Sequence, residues 1–184
     1  MPSPSKESRV LELFFNNATK HWHFEEIVKQ STLSRGKVGK WLARLRQEHI
    51  IQRVKPMGEM PYYVAHFDHP SYRNRKRLYA LGRLYETGFL DHLISLPNAK
   101  TVIIFGSFMR ADWYADSDID LFIYGDDEGL ERIRYARKLH HDIQVFTAES
   151  KADLKKLGPA LIQNIIKGYL IKGDLDFFKV ELYA

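Results

Sequence analysis

The chain has 184 residues, 45% of them hydrophobic and 28% charged, with no cysteine and a net charge of +5. That composition excludes a fully disordered chain, a collagen and a disulfide-stapled miniprotein, and the missing thiols exclude thiolate metal sites. No apolar run approaches the ~20 residues of a membrane span, and Met1-Pro2-Ser3-Pro4-Ser5-Lys6 lacks the apolar stretch of a signal peptide; a cytoplasmic protein with no membrane partner is expected. The charge is unevenly divided. Residues 1–100 hold 17 Lys+Arg against 9 Asp+Glu, whereas residues 101–184 hold 11 against 14. A basic half joined to an acidic half points to two jobs, one near nucleic acid and one holding cations.

Val10, Leu13 and Phe14 recur at helical spacing and predict a first helix from about Lys6 to Asn17. His21-Trp22-His23 is a short extended stretch, and Phe24, Ile27 and Val28 open a second helix. Ser31-Thr32-Leu33-Ser34 supplies turn and N-cap chemistry, since short hydroxyl side chains can accept from the free N–H groups of the next helix. A third helix follows, with Val38, Trp41, Leu42 and Leu45 forming one buried stripe. Lys37, Lys40 and Arg44 make a separate basic stripe, with Arg35 at its N-terminal end. Two β-prone runs, 50–54 and 62–64, flank a turn containing Pro56, Gly58 and Pro61.

Helix, helix, turn, basic helix, hairpin is the order of a winged helix-turn-helix, and residues 1–70 resemble that family. The resemblance implies DNA as a partner: Arg35, Lys37, Lys40 and Arg44 as phosphate and base contacts on the third helix, Arg53 and Lys55 on the wing. It also implies a possible homodimer on two half-sites. A solvated basic face or a protein–protein module remain the alternatives. From Ser71 the pattern continues as a long linking helix over 71–97, with Leu78, Leu81, Tyr85, Phe89 and Leu93 on one face and Arg73, Arg75, Lys76 and Arg77 at its start. Pro97-Asn98 ends it.

In the acidic half, Thr101-Val102-Ile103-Ile104-Phe105 reads as a buried strand running directly into Gly106-Ser107. Eleven residues after Ser107 comes Asp118, in Ser117-Asp118-Ile119-Asp120-Leu121, which opens a second strand, so Asp118 and Asp120 point one way and Ile119 and Leu121 the other. Two such carboxylates stay ionised together most easily with a divalent cation between them, and oxygen ligands suit Mg²⁺. A third strand begins Asp142-Ile143-Gln144-Val145, with Asp142 and Gln144 on one face. The glycine allows close backbone approach to a ligand, the serine offers phosphate an O–H and an N–H, and Arg110 can neutralise phosphate charge. The histidine pairs His21/His23, His66/His69 and His140/His141 lack zinc spacing and read as structural or surface residues.

Gly106-Ser107-Phe108-Met109-Arg110 followed by Ser117-Asp118-Ile119-Asp120-Leu121 resembles the signature of the polymerase-β-like nucleotidyltransferases, especially the minimal ones, and the resemblance continues through residues 160–171. It implies an α+β fold whose domain at 98–184 is a mixed sheet flanked by helices. It also implies Gly106, Ser107 and Arg110 as nucleotide ligands, and Asp118, Asp120 and Asp142 as catalytic residues holding Mg²⁺. Two positions depart from the family: Ala111 stands where glycine is common, and Trp113 where a small residue is usual. Trp113 and Tyr114 are placed either to stack on a base or to pack on their own domain. The function so implied is Mg²⁺-dependent transfer of a nucleoside monophosphate from a nucleoside triphosphate to a hydroxyl, beside a DNA-binding module. The alternative is a DNA-binding regulator or antitoxin whose transferase domain binds nucleotide, or a helical protein partner, without catalysis.

Overall fold

A computed structural model describes residues 6–181 of the chain; the leader reading at residues 1–5 falls outside them. Two compact units divide these residues. Unit 1 runs to Leu78 and includes Trp113–Ala115, and unit 2 holds Tyr79–Asp112 and the residues from Asp116 on. None of the described helices is long and apolar enough to cross a membrane.

Unit 1 is built from α1 (Lys6–Asn16), α2 (Phe24–Ser31), α3 (Arg35–Gln47) and an antiparallel hairpin of β1 (Ile51–Val54) and β2 (Tyr62–Ala65). Trp22 bridges to Tyr63, which adds a third extended segment beside β2. The expected apolar stripes supply the core: Val10 and Phe14 from α1, Ile27 from α2, and Val38, Leu42 and Leu45 from α3 are all essentially inaccessible. α2 ends at Thr32, which takes the left-handed conformation with φ 55°. Ser34 does occupy the position before α3, yet its side chain makes no capping bond. The hydroxyl chemistry of the turn lies instead at Thr32, which donates to the Ser31 carbonyl at 2.7 Å.

The linking helix expected over 71–97 is two helices, α4 (Pro70–Glu86) and α5 (Phe89–Ser95). Gly88, at φ 75°, breaks the run where only a residue without a Cβ sits comfortably. The break also splits the apolar face. Phe89 and Leu93 of α5 are buried, whereas Leu78 and Tyr85 of α4 are 63% and 69% exposed. The four cations at the start of α4 do not behave alike: Arg73 and Arg77 are exposed, Arg75 pairs with Glu7, and Lys76 is buried. The Lys76 ammonium donates to the carbonyls of Phe15 (2.8 Å) and Trp113, over the face of the Trp113 ring.

Unit 2 centres on a four-stranded sheet of order β5-β4-β3-β6. Its strands are β3 (Ala99–Phe105), β4 (Ile119–Gly125), β5 (Ile143–Ala148) and β6 (Tyr169–Lys172). β3 is antiparallel to β4 and β6, and β4 is parallel to β5. One sheet face carries Ile103, Phe105 and Phe122, covered by Leu154 of α8 (Lys151–Lys156), Ile165 of α9 (Pro159–Ile166) and Phe177 and Phe178 of a 3₁₀ turn (Asp176–Glu181). The opposite face, Val102, Ile104, Ile119, Leu121, Ile123 and Ile143, is buried too. A sheet covered on both sides explains why these strands read as almost continuous apolar runs. Two further helices, α6 (Gly106–Arg110) and α7 (Arg132–Leu139), complete the unit. Ser150 starts α8 with a reciprocal capping box to Asp153.

Burial holds three imidazoles below the ordinary histidine value: His69, with His49 and His66 adding to the effect, His92, and His141. Each therefore takes its proton more readily in the unfolded chain. Stability from this source is complete above the unfolded value of about 6.5 and is lost as the pH falls below it. Thermal melts at pH 7.5 and 5.5 should show a lower melting temperature at the acid end. His141→Gln should remove part of that difference; a melting temperature that rises on acidification would contradict the assignment.

Candidate active site

The site begins where β3 ends. Phe105, its last residue, pairs across the sheet with Asp120 of β4, so the next residue, Gly106, comes to lie against the Asp120 carboxylate. A Cβ placed on Gly106 would stand 1.8 Å from Asp120 Oδ2 and 2.8 Å from its Cγ. With φ 74° as well, position 106 admits glycine on two independent grounds. The glycine thus makes room for a carboxylate of the protein itself, in addition to any ligand.

Asp120 is partly buried and Asp118 exposed, on the same side of the strand entrance. Burial first, and the neighbouring Asp118 second, raise the Asp120 pKa above the usual carboxylate value, with Arg110 pulling the other way. The pair is therefore electrostatically uncomfortable without a cation, and hard oxygen donors suit Mg²⁺. Arg110 itself is held by Asp112, Nε to Oδ2 at 3.1 Å on the surface. Ser107 lies in the first turn of α6, next to the glycine.

The third expected carboxylate does not join them. β4 and β5 are parallel with Ile119 opposite Ile143 and Asp120 opposite Gln144. The Ile119 N–H donates to the Asp142 carbonyl at 2.8 Å, which sets Asp142 at the level of Asp118, just before β5 begins. Among the described residues, no three His, Asp or Glu side chains gather where they could hold a metal ion. Alternation along β5 gives Asp142 and Gln144 the same face, as expected, but the register decides which of them reaches Asp120.

Packing rather than base stacking describes Trp113. Trp113 is 2% exposed and belongs to unit 1, where it lies edge-on to Phe15 and under the Lys76 ammonium, so it has no free face for a base. Tyr114 is 45% exposed. Ala111 takes φ 65° at the end of α6, which accounts for the glycine common at this position. The sequence had also set His141 aside as structural. Its Nδ1 lies 2.8 Å from the Ser117 carbonyl, its ring meets Phe108 edge-on, and it braces the turn immediately before Asp118. No spacing rule in the sequence links position 141 to position 117.

In unit 1, Lys37 and Lys40 project from α3 into solvent. Arg35 and Arg44, from the same expected stripe, are each engaged: Arg35 with Glu25 at 2.5 Å, and Arg44 with Glu48 at 2.7 Å. Arg53 and Lys55 are exposed on and after β1. Arg53 shares a groove of about 620 Å³ with Arg46, His49 and His66, residues that no helical stripe singles out.

Gly106→Ala should push the Asp120 carboxylate out of place, whereas Ala111→Gly should relieve roughly 1 kcal/mol of left-handed strain. Denaturant unfolding of both variants checks this: Gly106→Ala is expected to be the less stable protein, and Ala111→Gly at least as stable as wild type.

Neither the curated proteins nor the solved structures contain a significant match to the chain. A family model does match: residues 91–174 fit the one described as Polymerase beta, Nucleotidyltransferase. The matched stretch contains β3, the Gly106–Ser107 turn, Asp118 and Asp120, and it supports nucleotidyl transfer as the chemistry of this part of the chain. Residues 91–174 are thus similar to the polymerase-β-like nucleotidyltransferases.

Proposed function

We propose that the protein transfers a nucleoside monophosphate from a nucleoside triphosphate to a hydroxyl acceptor, with Asp118 and Asp120 holding Mg²⁺. The observation that carries this reading is the seating of Asp120 against Gly106, which fixes one carboxylate at the end of the turn proposed to bind phosphate. Bound Mg²⁺ would polarise the phosphoryl oxygens and offset charge developing on them. Gly106 lets the chain approach the triphosphate closely, and the Ser107 hydroxyl and N–H donate to its oxygens. Arg110 leaves its surface pairing with Asp112 to neutralise phosphate charge, an exchange that costs little because exposed ion pairs are weak. Asp118 and Asp120 would hold that cation beside the Gly106–Ser107 turn.

The readout is transfer of labelled nucleotide in the presence of Mg²⁺. Asp118→Asn and Asp120→Asn should each lower it by about a hundredfold or more, the size expected when a charge-stabilising group is lost. Activity unchanged in both variants would rule the assignment out.

Unit 1 is proposed to be a winged helix that binds DNA, with Lys37, Lys40, Arg53 and Lys55 as contacts. Arg35 and Arg44 would have to exchange Glu25 and Glu48 for phosphate. Support comes from the succession of three helices and a hairpin, the basic surplus in residues 1–100, and the solvent-facing lysines of α3. Each phosphate neutralised contributes about −0.9 to the slope of log K against log[salt]. Lys37→Gln with Lys40→Gln should therefore flatten that slope by nearly two. A slope untouched by the double substitution would leave the stripe as ordinary surface.

A further inference from the structure

Directly beside Asp120 the neighbouring strand presents a carboxamide rather than a carboxylate, and we infer that Gln144 limits the site to a single divalent cation. This rests on the cation reading of Asp118 and Asp120 given above. Directly paired residues of neighbouring parallel strands put their side chains on the same face about 5 Å apart. Asp120 and Gln144 are such a pair. Gln144 is exposed, so its amide is available at the mouth of the site rather than consumed in the core.

Asp142 does not substitute for it. Its carbonyl bonds the Ile119 N–H, which places it two residues before Gln144, about 6.6 Å back along the strand at ~3.3 Å per residue. That is the level of Asp118, and the three carboxylates do not converge. The carboxylate that sequence chemistry selects and the side chain that strand register selects are therefore different residues.

Charge explains the consequence. Two ionised carboxylates carry a charge that one divalent cation neutralises. A second cation at the same place would need further anionic ligands, and a carboxamide supplies a neutral carbonyl oxygen instead. Nor can a carboxamide accept a proton near neutral pH, so the side chain beside Asp120 on β5 offers the acceptor hydroxyl a hydrogen bond and no base. Gln144 is a positioning residue in this scheme: it can orient a ligand next to Asp120 without adding charge there.

Binding of Mn²⁺ alone to the full chain, followed by electron paramagnetic resonance, tests this without reference to activity. Wild type should show one class of site, and Asp142→Asn should leave it within about twofold. Asp120→Asn should weaken it by about tenfold or more, at least the loss seen when even an outer partner of a metal site is removed. Gln144→Asp should tighten binding by a similar factor or add a second ion. Thr147→Asp places the same extra charge on the other face of β5, where position 147 is also exposed, and should have little effect.

Thermal melts of each variant confirm that the fold is intact. If Asp142→Asn weakens Mn²⁺ binding as much as Asp120→Asn with an unchanged melt, Asp142 is a ligand and the inference is overturned. It is equally overturned if Gln144→Asp and Thr147→Asp behave alike. Should Asp120→Asn bind Mn²⁺ as well as wild type, the cation reading itself fails and takes this one with it.

Discussion

The contact between a backbone without a side chain and a carboxylate without a neutral partner organises unit 2. Gly106 follows β3, Asp120 sits opposite the residue before it, and the glycine leaves open the space that this carboxylate occupies. Everything around this contact serves to hold two strand ends in register. Apolar side chains cover both faces of the sheet, so β3 and β4 have little freedom to slide. His141 fixes the carbonyl of Ser117 just ahead of Asp118. Rigid strands therefore carry the charged groups, and burial together with the neighbouring Asp118 raises the Asp120 pKa.

Unit 1 solves a different problem with similar means. Its apolar stripes are buried by conventional helix packing, and most of its cations stay at the surface. Lys76 is the exception. A buried ammonium needs several acceptors, and it finds main-chain carbonyls and an aromatic face rather than solvent. Arg35 and Arg44 show the reverse arrangement, with long side chains that cover Phe24 and Trp41 while their heads meet carboxylates. A basic stripe counted from sequence thus overstates the unsatisfied positive charge on α3.

How much was legible in the sequence follows from which interactions are local. Helical periodicity located α1 to within a residue, the start of α2 and the buried stripe of α3, and the alternation at Ser117–Leu121 located the carboxylate pair, because both patterns depend only on neighbours along the chain. The Gly88 break was obscured since Tyr85 and Phe89 keep helical spacing across it, and periodicity does not register a single left-handed residue. Asp142 was chosen for its carboxylate. Gln144 has the same face and lies opposite Asp120, but only the pairing of β4 with β5 tells them apart, and strand register between residues 24 apart is a tertiary fact. Trp113 gave no local sign of its burial, because Phe15, Tyr72 and Lys76 come from far upstream.

Trp113 also has a consequence for chain topology. Unit 1 is discontinuous: it takes three residues from a segment whose two flanks, Asp112 and Asp116, belong to unit 2. The polypeptide consequently passes between the units three times, once within α4 and twice around this short excursion. No single cut can release both units whole. Severing the chain after Leu78 would leave unit 1 without Trp113 and strip Lys76 of one acceptor carbonyl. The chain is a strand sewn through twice rather than beads on a string.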